Sequence, residues 1–137
     1  MSKPEQYPYK IRDNSNSETS YLPYLPITLR YKDKQLFASG LMDTGATVNV
    51  LPYELGEQLG IVWEERETSL FLSGNLANFE ARAVLLKVNV GQFPTVNLAF
   101  AWTKSQDVPL ILGQVNFFME FDVCFFRSQL MFEIKAK

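Results

Sequence analysis

At 137 residues, with 47% hydrophobic, 14% aromatic and 20% charged residues, the chain has the size and apolar content of one folded domain rather than a disordered or multidomain polypeptide. A formal net charge of −2 without a basic block removes nucleic acid and anionic membrane surfaces from the expected partners. The absence of histidine removes Ser-His and Cys-His nucleophiles and the commonest transition-metal ligand, so no metal site is expected.

Residues 1–20 are rich in Pro, Asn, Ser, Lys and Glu without apolar period and are expected to form a flexible arm or extended strap, with the packed domain covering 21–137. Leu25, Ile27, Leu29 and Tyr31 alternate with other residues. Lys32-Asp33-Lys34 then makes a polar turn before Gln35–Met42, a hairpin in outline. Thr47–Leu51 reads as a short strand, and Pro52 opens a helix over Tyr53–Leu59 that Gly60 closes. Two apolar stretches, Ser69–Leu72 and Ala81–Val90, flank Ser73-Gly74-Asn75, whose Gly and Asn favour a hairpin turn. After a turn at Gly91–Pro94 come a strand over Thr95–Trp102, an apolar segment Pro109–Gly113 and a second helix near Gln114–Glu120. Strands near Asp122–Phe126 and Leu130–Ile134, joined through Arg127–Gln129, end the chain. Many short strands with little helix predict an all-β fold, a closed or partly closed barrel. The lone Cys124, in an apolar run, is expected to be a buried structural thiol. With no signal segment and no apolar run long enough to span a bilayer, a reducing cytoplasmic setting is the expectation.

Leu41-Met42-Asp43-Thr44-Gly45-Ala46 is the segment that carries chemistry: an apolar strand ends in a carboxylate, and a tight turn follows at once. Such an aspartate is surrounded by turn N–H groups and little else, so its charge and proton become chemically significant. Asp13, Asp33, Asp107 and Asp122 lack a following Thr-Gly or Ser-Gly, so the chain supplies one carboxylate of this kind. Taken alone, Asp-Thr-Gly is also ordinary turn chemistry.

Three features together resemble the retropepsin-like aspartic proteases: the apolar strand into Asp43, a Gly-bearing hairpin about thirty residues later, and Ile111-Leu112-Gly113 just before a helix. The resemblance spans about residues 22–135 and implies an acid-protease-type barrel with one or two short helices. It also implies a homodimer whose two-fold axis runs between two copies of Asp43, because hydrolysis without metal or covalent intermediate needs two carboxylates sharing one proton. By the same resemblance, the Thr44 hydroxyl reaches across the axis, Gly45 lets its N–H approach the carboxylate, Ala46 leaves room for substrate, and Ile111, Leu112 and Gly113 support the turn. Ser73, Gly74 and Asn75 become a flap over an extended peptide, with Leu72, Leu76 and Phe79 lining apolar pockets. No cofactor is implied, and the partners are a second copy and a peptide or protein substrate. The family's viral members place an aspartate and an arginine where this chain has Thr47 and Gln114, so a neutral contact between these two is expected. Phe132–Lys137 is more charged than a strand buried in an interleaved dimer sheet, which points to closure by a different set of strands. Two other readings use the same features: a catalytically silent dimeric peptide-binding module, and a monomeric β-barrel interaction domain.

Overall fold

The computed structural model describes residues 3–11, 21–66, 69–71 (backbone alone), 80–105 and 107–137. In chain order the strands are β1 (Glu5–Pro8), β2 (Lys10–Ile11), β3 (Tyr21–Leu22), β4 (Tyr24–Tyr31), β5 (Lys34–Met42), β6 (Asn49–Pro52), β7 (Ser69–Phe71), β8 (Glu80–Asn89), β9 (Val96–Thr103), β10 (Ile111–Leu112), β11 (Phe121–Phe126) and β12 (Met131–Ala136). Two short helices, α1 (Tyr53–Gln58) and α2 (Phe117–Glu120), accompany them.

The alternation in β4 works as expected: Leu25, Ile27 and Leu29 are buried while the residues between them are not. β4 and β5 form an antiparallel hairpin from Tyr24↔Leu41 to Tyr31↔Lys34, and Lys32 at its tip takes φ 54°. β8 and β9 form a second hairpin, turned through Gly91 at φ 47°. The sheet order β4-β5-β10-β6-β9-β8 closes on itself because β8 also pairs with β4, at Thr28↔Asn89 through Arg30↔Lys87. The result is a closed six-stranded barrel, mostly β with two short helices, and β7 extends it beyond β8. Closure removes sheet edges, which a small domain would otherwise leave open to pairing.

Leu86, Leu98, Phe100 and Trp102 fill the interior with almost no exposure. Trp102 also seats α1: its indole N–H donates to the Tyr53 carbonyl at 3.1 Å, and a Cβ on Gly56 would lie 2.3 Å from its ring. Gly56 is therefore a close-approach glycine that lets the helix lie on the barrel.

A second sheet, ordered β1-β12-β11, sits outside the barrel strands. Three expectations are corrected in and beside this sheet. Packing begins at Glu5 rather than near Tyr21: β1 pairs with β12 from Glu5↔Ile134 to Pro8↔Met131, the Tyr7 ring stacks on Phe132 at 5.7 Å, and Tyr9 is buried. Tyr7 and Tyr9 supply the inward-facing side chains that the polar composition of residues 1–20 conceals. Residues 12–20 of that arm lie outside the described residues. Cys124 is exposed rather than buried, because β11 turns Phe121 inward and leaves Asp122 and Cys124 facing out. The second helix is also shorter than expected, since Gln114–Asn116 form a turn whose Gln114 and Val115 N–H groups go to the Ala46 and Thr47 carbonyls, and Asn116, at φ 77°, starts α2 late.

Candidate active site

β5 delivers Asp43 at its end, and β6 leaves again six residues later, with the Asp43–Ala46 turn between them. β10 fills the gap between these two strands, parallel to β5 (Ile111↔Leu41, Leu112↔Met42) and antiparallel to β6 (Ile111↔Val50). The N–H of Leu41 donates to the Leu110 carbonyl at 2.7 Å and that of Asp43 to the Leu112 carbonyl at 3.0 Å. The apolar Ile111-Leu112 pair thus fixes where the aspartate leaves the sheet.

Within the turn, the Gly45 N–H donates to Asp43 Oδ1 at 2.9 Å and the Ala46 N–H to the Asp43 carbonyl at 3.1 Å. A Cβ on Gly45 would stand 3.3 Å from the same carboxylate oxygen, tighter than an ordinary contact. Gly45 therefore lets its N–H reach the carboxylate. Asp43 and Ala46 are half-buried, Thr44 and Gly45 exposed, so the carboxylate opens towards solvent from a fixed base.

That base is the segment after β10. Gln114 donates its backbone N–H to the Ala46 carbonyl at 2.9 Å and its side-chain Nε2 to the Thr44 carbonyl at 2.7 Å. Val115 donates to the Thr47 carbonyl at 2.7 Å. Three carbonyls of the turn region are held by two consecutive residues, and this fixes the direction of the Asp43 side chain. In place of a hydrogen bond between Thr47 and Gln114, the Gln114 amide donates to the Thr44 carbonyl and the Thr47 carbonyl accepts from the Val115 N–H. Gly113 admits no side chain here, because a Cβ would lie 2.6 Å from the Val48 carbonyl oxygen and 2.8 Å from that of Ala46.

Asn49 is the site residue that the motif does not reveal. It is fully buried, its Oδ1 accepts from the Gly113 N–H at 2.8 Å, and its Nδ2 donates to the Ala99 carbonyl at 3.1 Å. One amide ties β6, β9 and the start of the gripping segment together. The available signal is a lone polar residue inside Val48-Asn49-Val50-Leu51, where burial demands that both ends of the amide find partners.

The predicted flap residues Leu72, Ser73, Gly74, Asn75, Leu76 and Phe79 lie outside the described residues. The arms of that hairpin are described, and they pair at Ser69↔Arg82, Leu70↔Ala81 and Phe71↔Glu80. Among the described residues no group of three or more His, Cys, Asp or Glu is arranged to hold a metal ion, and no helix is long and apolar enough to cross a membrane.

A family model described as aspartyl protease matches residues 27–115, which contain the Asp43 turn, β10 and Gly113. Among solved structures, a retropepsin-like aspartic protease from Rickettsia conorii superposes with a TM-score of 0.63 at 14% identity, covering 96% of this chain and 91% of that one. The retroviral protease-like domain of Ddi1 from Leishmania major superposes with a TM-score of 0.50 at 19% identity, covering 67% of this chain and 71% of that one. At these identities the likeness is one of fold. No curated protein sequence matches the chain.

Proposed function

The chain belongs to the aspartyl protease family, and from that premise we propose that it is an endopeptidase, active as a homodimer in which each copy contributes Asp43 to a two-carboxylate centre. The observation that carries this reading is the single half-buried Asp43 carboxylate, presented to solvent on a turn whose carbonyls are held by Gln114 and Val115. One such carboxylate is half of an acid–base pair.

Two carboxylates about 3 Å apart cannot both be ionised, so the pair retains one proton and offers a base and an acid together. The ionised member takes a proton from a water held between them as that water adds to the peptide carbonyl carbon. The neutral member gives its proton to the carbonyl oxygen, so a neutral gem-diol forms and the dyad again carries one proton. Collapse breaks the C–N bond as a proton passes to nitrogen, releasing acid and amine. No cofactor enters this scheme. The half-buried Val48 and Ile111 flank the turn, which supports a preference for hydrophobic residues near the scissile bond. A flap at Ser73–Asn75 over the substrate, with Leu72, Leu76 and Phe79 beside it, belongs to the same proposal.

The test is cleavage of a mixed peptide pool across about pH 3 to 8, where the shared proton requires an optimum on the acid side of neutrality. Asp43→Asn and Asp43→Ala are expected to lower kcat by about a thousandfold or more. Retained activity in either variant removes Asp43 from the mechanism. A natural chain that binds peptides but never cleaves them makes the protein a silent binding module.

A further inference from the structure

On the outer face of the barrel, β4, β5 and β8 present side chains that no step of the proteolytic scheme uses. Thr28 stands opposite Phe37 on one side and Asn89 on the other, so these three lie in one row across three strands, with Pro26 and Ser39 paired in the next row. The intervening Leu25, Ile27 and Leu29 face the barrel interior. Over this outer face, Tyr7 of β1 and the turn at Gly91 complete a cavity of about 520 Å3, within the size range of ligand sites. Among the described residues no charged side chain lines it, and Phe37 is 77% exposed. An exposed ring by itself is ordinary, but one at the rim of a neutral cavity marks apolar surface that a ligand would cover. Asn89 adds a polar feature. Its Nδ2 donates to Thr95 Oγ1 at 2.6 Å, while its Oδ1 is buried without a hydrogen-bond partner, an acceptor short of one donor.

We propose that this cavity is a second substrate-binding site, which takes an apolar side chain of a polypeptide substrate at a distance from the bond being cut. Asn89 accepts from a backbone N–H of the same segment once its amide turns towards it. The inference rests on the endopeptidase reading above and names the substrate class, long unfolded polypeptide rather than short peptide. Continuity with the Asp43 turn selects this occupant. Phe37, Ser39 and Leu41 share the outward face of β5, Asp43 follows at the next alternate position, and Leu41 is flanked by Tyr24 and Ile111, all three half-buried. An apolar strip therefore joins the carboxylate to the cavity. Phe37 precedes Asp43 by six residues, on the order of 20 Å of extended chain, so a substrate following the strip reaches the cavity about six residues from its scissile bond. A short peptide cannot occupy both places. The neutral lining suits an apolar segment, and the hydroxyls of Thr28 and Ser39 offer partners to its backbone. Occupation of either place holds the rest of the substrate near the other, which raises affinity without any new contact at the dyad.

The test uses the natural full-length chain and two synthetic peptides that share one cleavable core taken from the peptide pool. Both extend about eight residues beyond the core on each side; one carries Leu and Phe about six residues from the scissile bond, and the other carries Ser at those positions. KM for the first is expected to be about tenfold lower, with the same kcat. Phe37→Ser, which removes the ring, and Ser39→Lys, which brings a charge to the cavity, are expected to erase that difference while leaving kcat and KM for the Ser peptide unchanged. Equal KM values for the two peptides with the natural chain overturn the second site and leave the dyad reading intact. So does a difference that survives in both variants, or a loss that falls equally on both peptides, which would assign these residues to folding or to a contact between subunits. Should both variants misfold, the comparison of the two peptides on the natural chain decides. A chain that cleaves neither peptide defeats the dyad reading, and fluorescence anisotropy of the labelled peptides then decides the cavity: tighter binding of the Leu and Phe peptide, lost in Phe37→Ser, upholds it, and equal binding overturns it.

Discussion

Asn49 uses both ends of its amide in a fully buried position, accepting from Gly113 and donating to Ala99. Truncating it to alanine leaves the buried Gly113 N–H without its acceptor, at about 1–3 kcal/mol, and takes a donor from the half-buried Ala99 carbonyl, at about 1 kcal/mol. Asn49→Ala is therefore expected to lower the unfolding free energy by about 2–4 kcal/mol in urea titration. Because Gly113 leads straight into the residues that hold the turn carbonyls, kcat should fall more than KM rises. A loss under about 0.5 kcal/mol would show that water or rearrangement satisfies both groups. Gly113 was legible from its place after Ile111-Leu112, because a backbone that tolerates no Cβ must be glycine whatever surrounds it. Asn49 was not, since nothing local distinguishes a buried bridging amide from an ordinary polar residue in a strand. Its partners are 64 and 50 positions away.

Strands whose partners are close in sequence were the readable ones. β4 with β5, and β8 with β9, announce themselves by alternation on either side of a short turn. β1 finds its partner at the other end of the chain, so the alternate Tyr7 and Tyr9 look like isolated aromatics in a polar tract. The exposure of Cys124 was hidden for a related reason: an apolar run reads as interior, and only the pairing of β11 in the outer sheet shows that Cys124 shares the outward face with Asp122. What fastens β1 is checkable. The Tyr7 hydroxyl donates to the Glu5 carboxylate, whose other oxygen accepts from the Gln92 N–H at 2.9 Å. Burial, with help from the neighbouring Glu5 carboxylate, holds the Tyr7 phenol well above its ordinary range. A raised folded-state value means that its contribution is fully present below the unfolded value, about pH 10, and is lost as pH rises beyond it. Tyr7→Phe should cost about 1 kcal/mol at neutral pH through the lost hydrogen bond. Above about pH 10 the natural chain loses stability that the variant lacks, so the gap between them should narrow. Denaturant titrations of both chains on either side of that pH measure it, and a gap that stays constant or widens would exclude Tyr7 as a contributor.

At the scale of the molecule, the closed barrel and its family were legible because the Asp43 turn, the Gly113 segment and the short strands agree with one another. What one chain leaves open is the completion of its centre. If each active unit needs two copies of Asp43, a chain paired with an inactive copy is itself inactive. Mixing the natural protein with a ninefold excess of Asp43→Asn, and allowing the subunits to exchange, leaves each natural chain about one chance in ten of meeting a natural partner. Activity per natural chain should then fall about tenfold below an equal concentration of natural protein alone. The substitution removes a charge from a solvent-facing turn and keeps the side chain's shape, so Asp43→Asn should dimerise at least as readily as the natural chain. A centre contained in one subunit predicts the opposite result, with activity per natural chain indifferent to the excess. The mixing experiment therefore tests the shared centre without assuming which strands join the subunits, since any two-fold assembly that brings the aspartates together gives the same dilution.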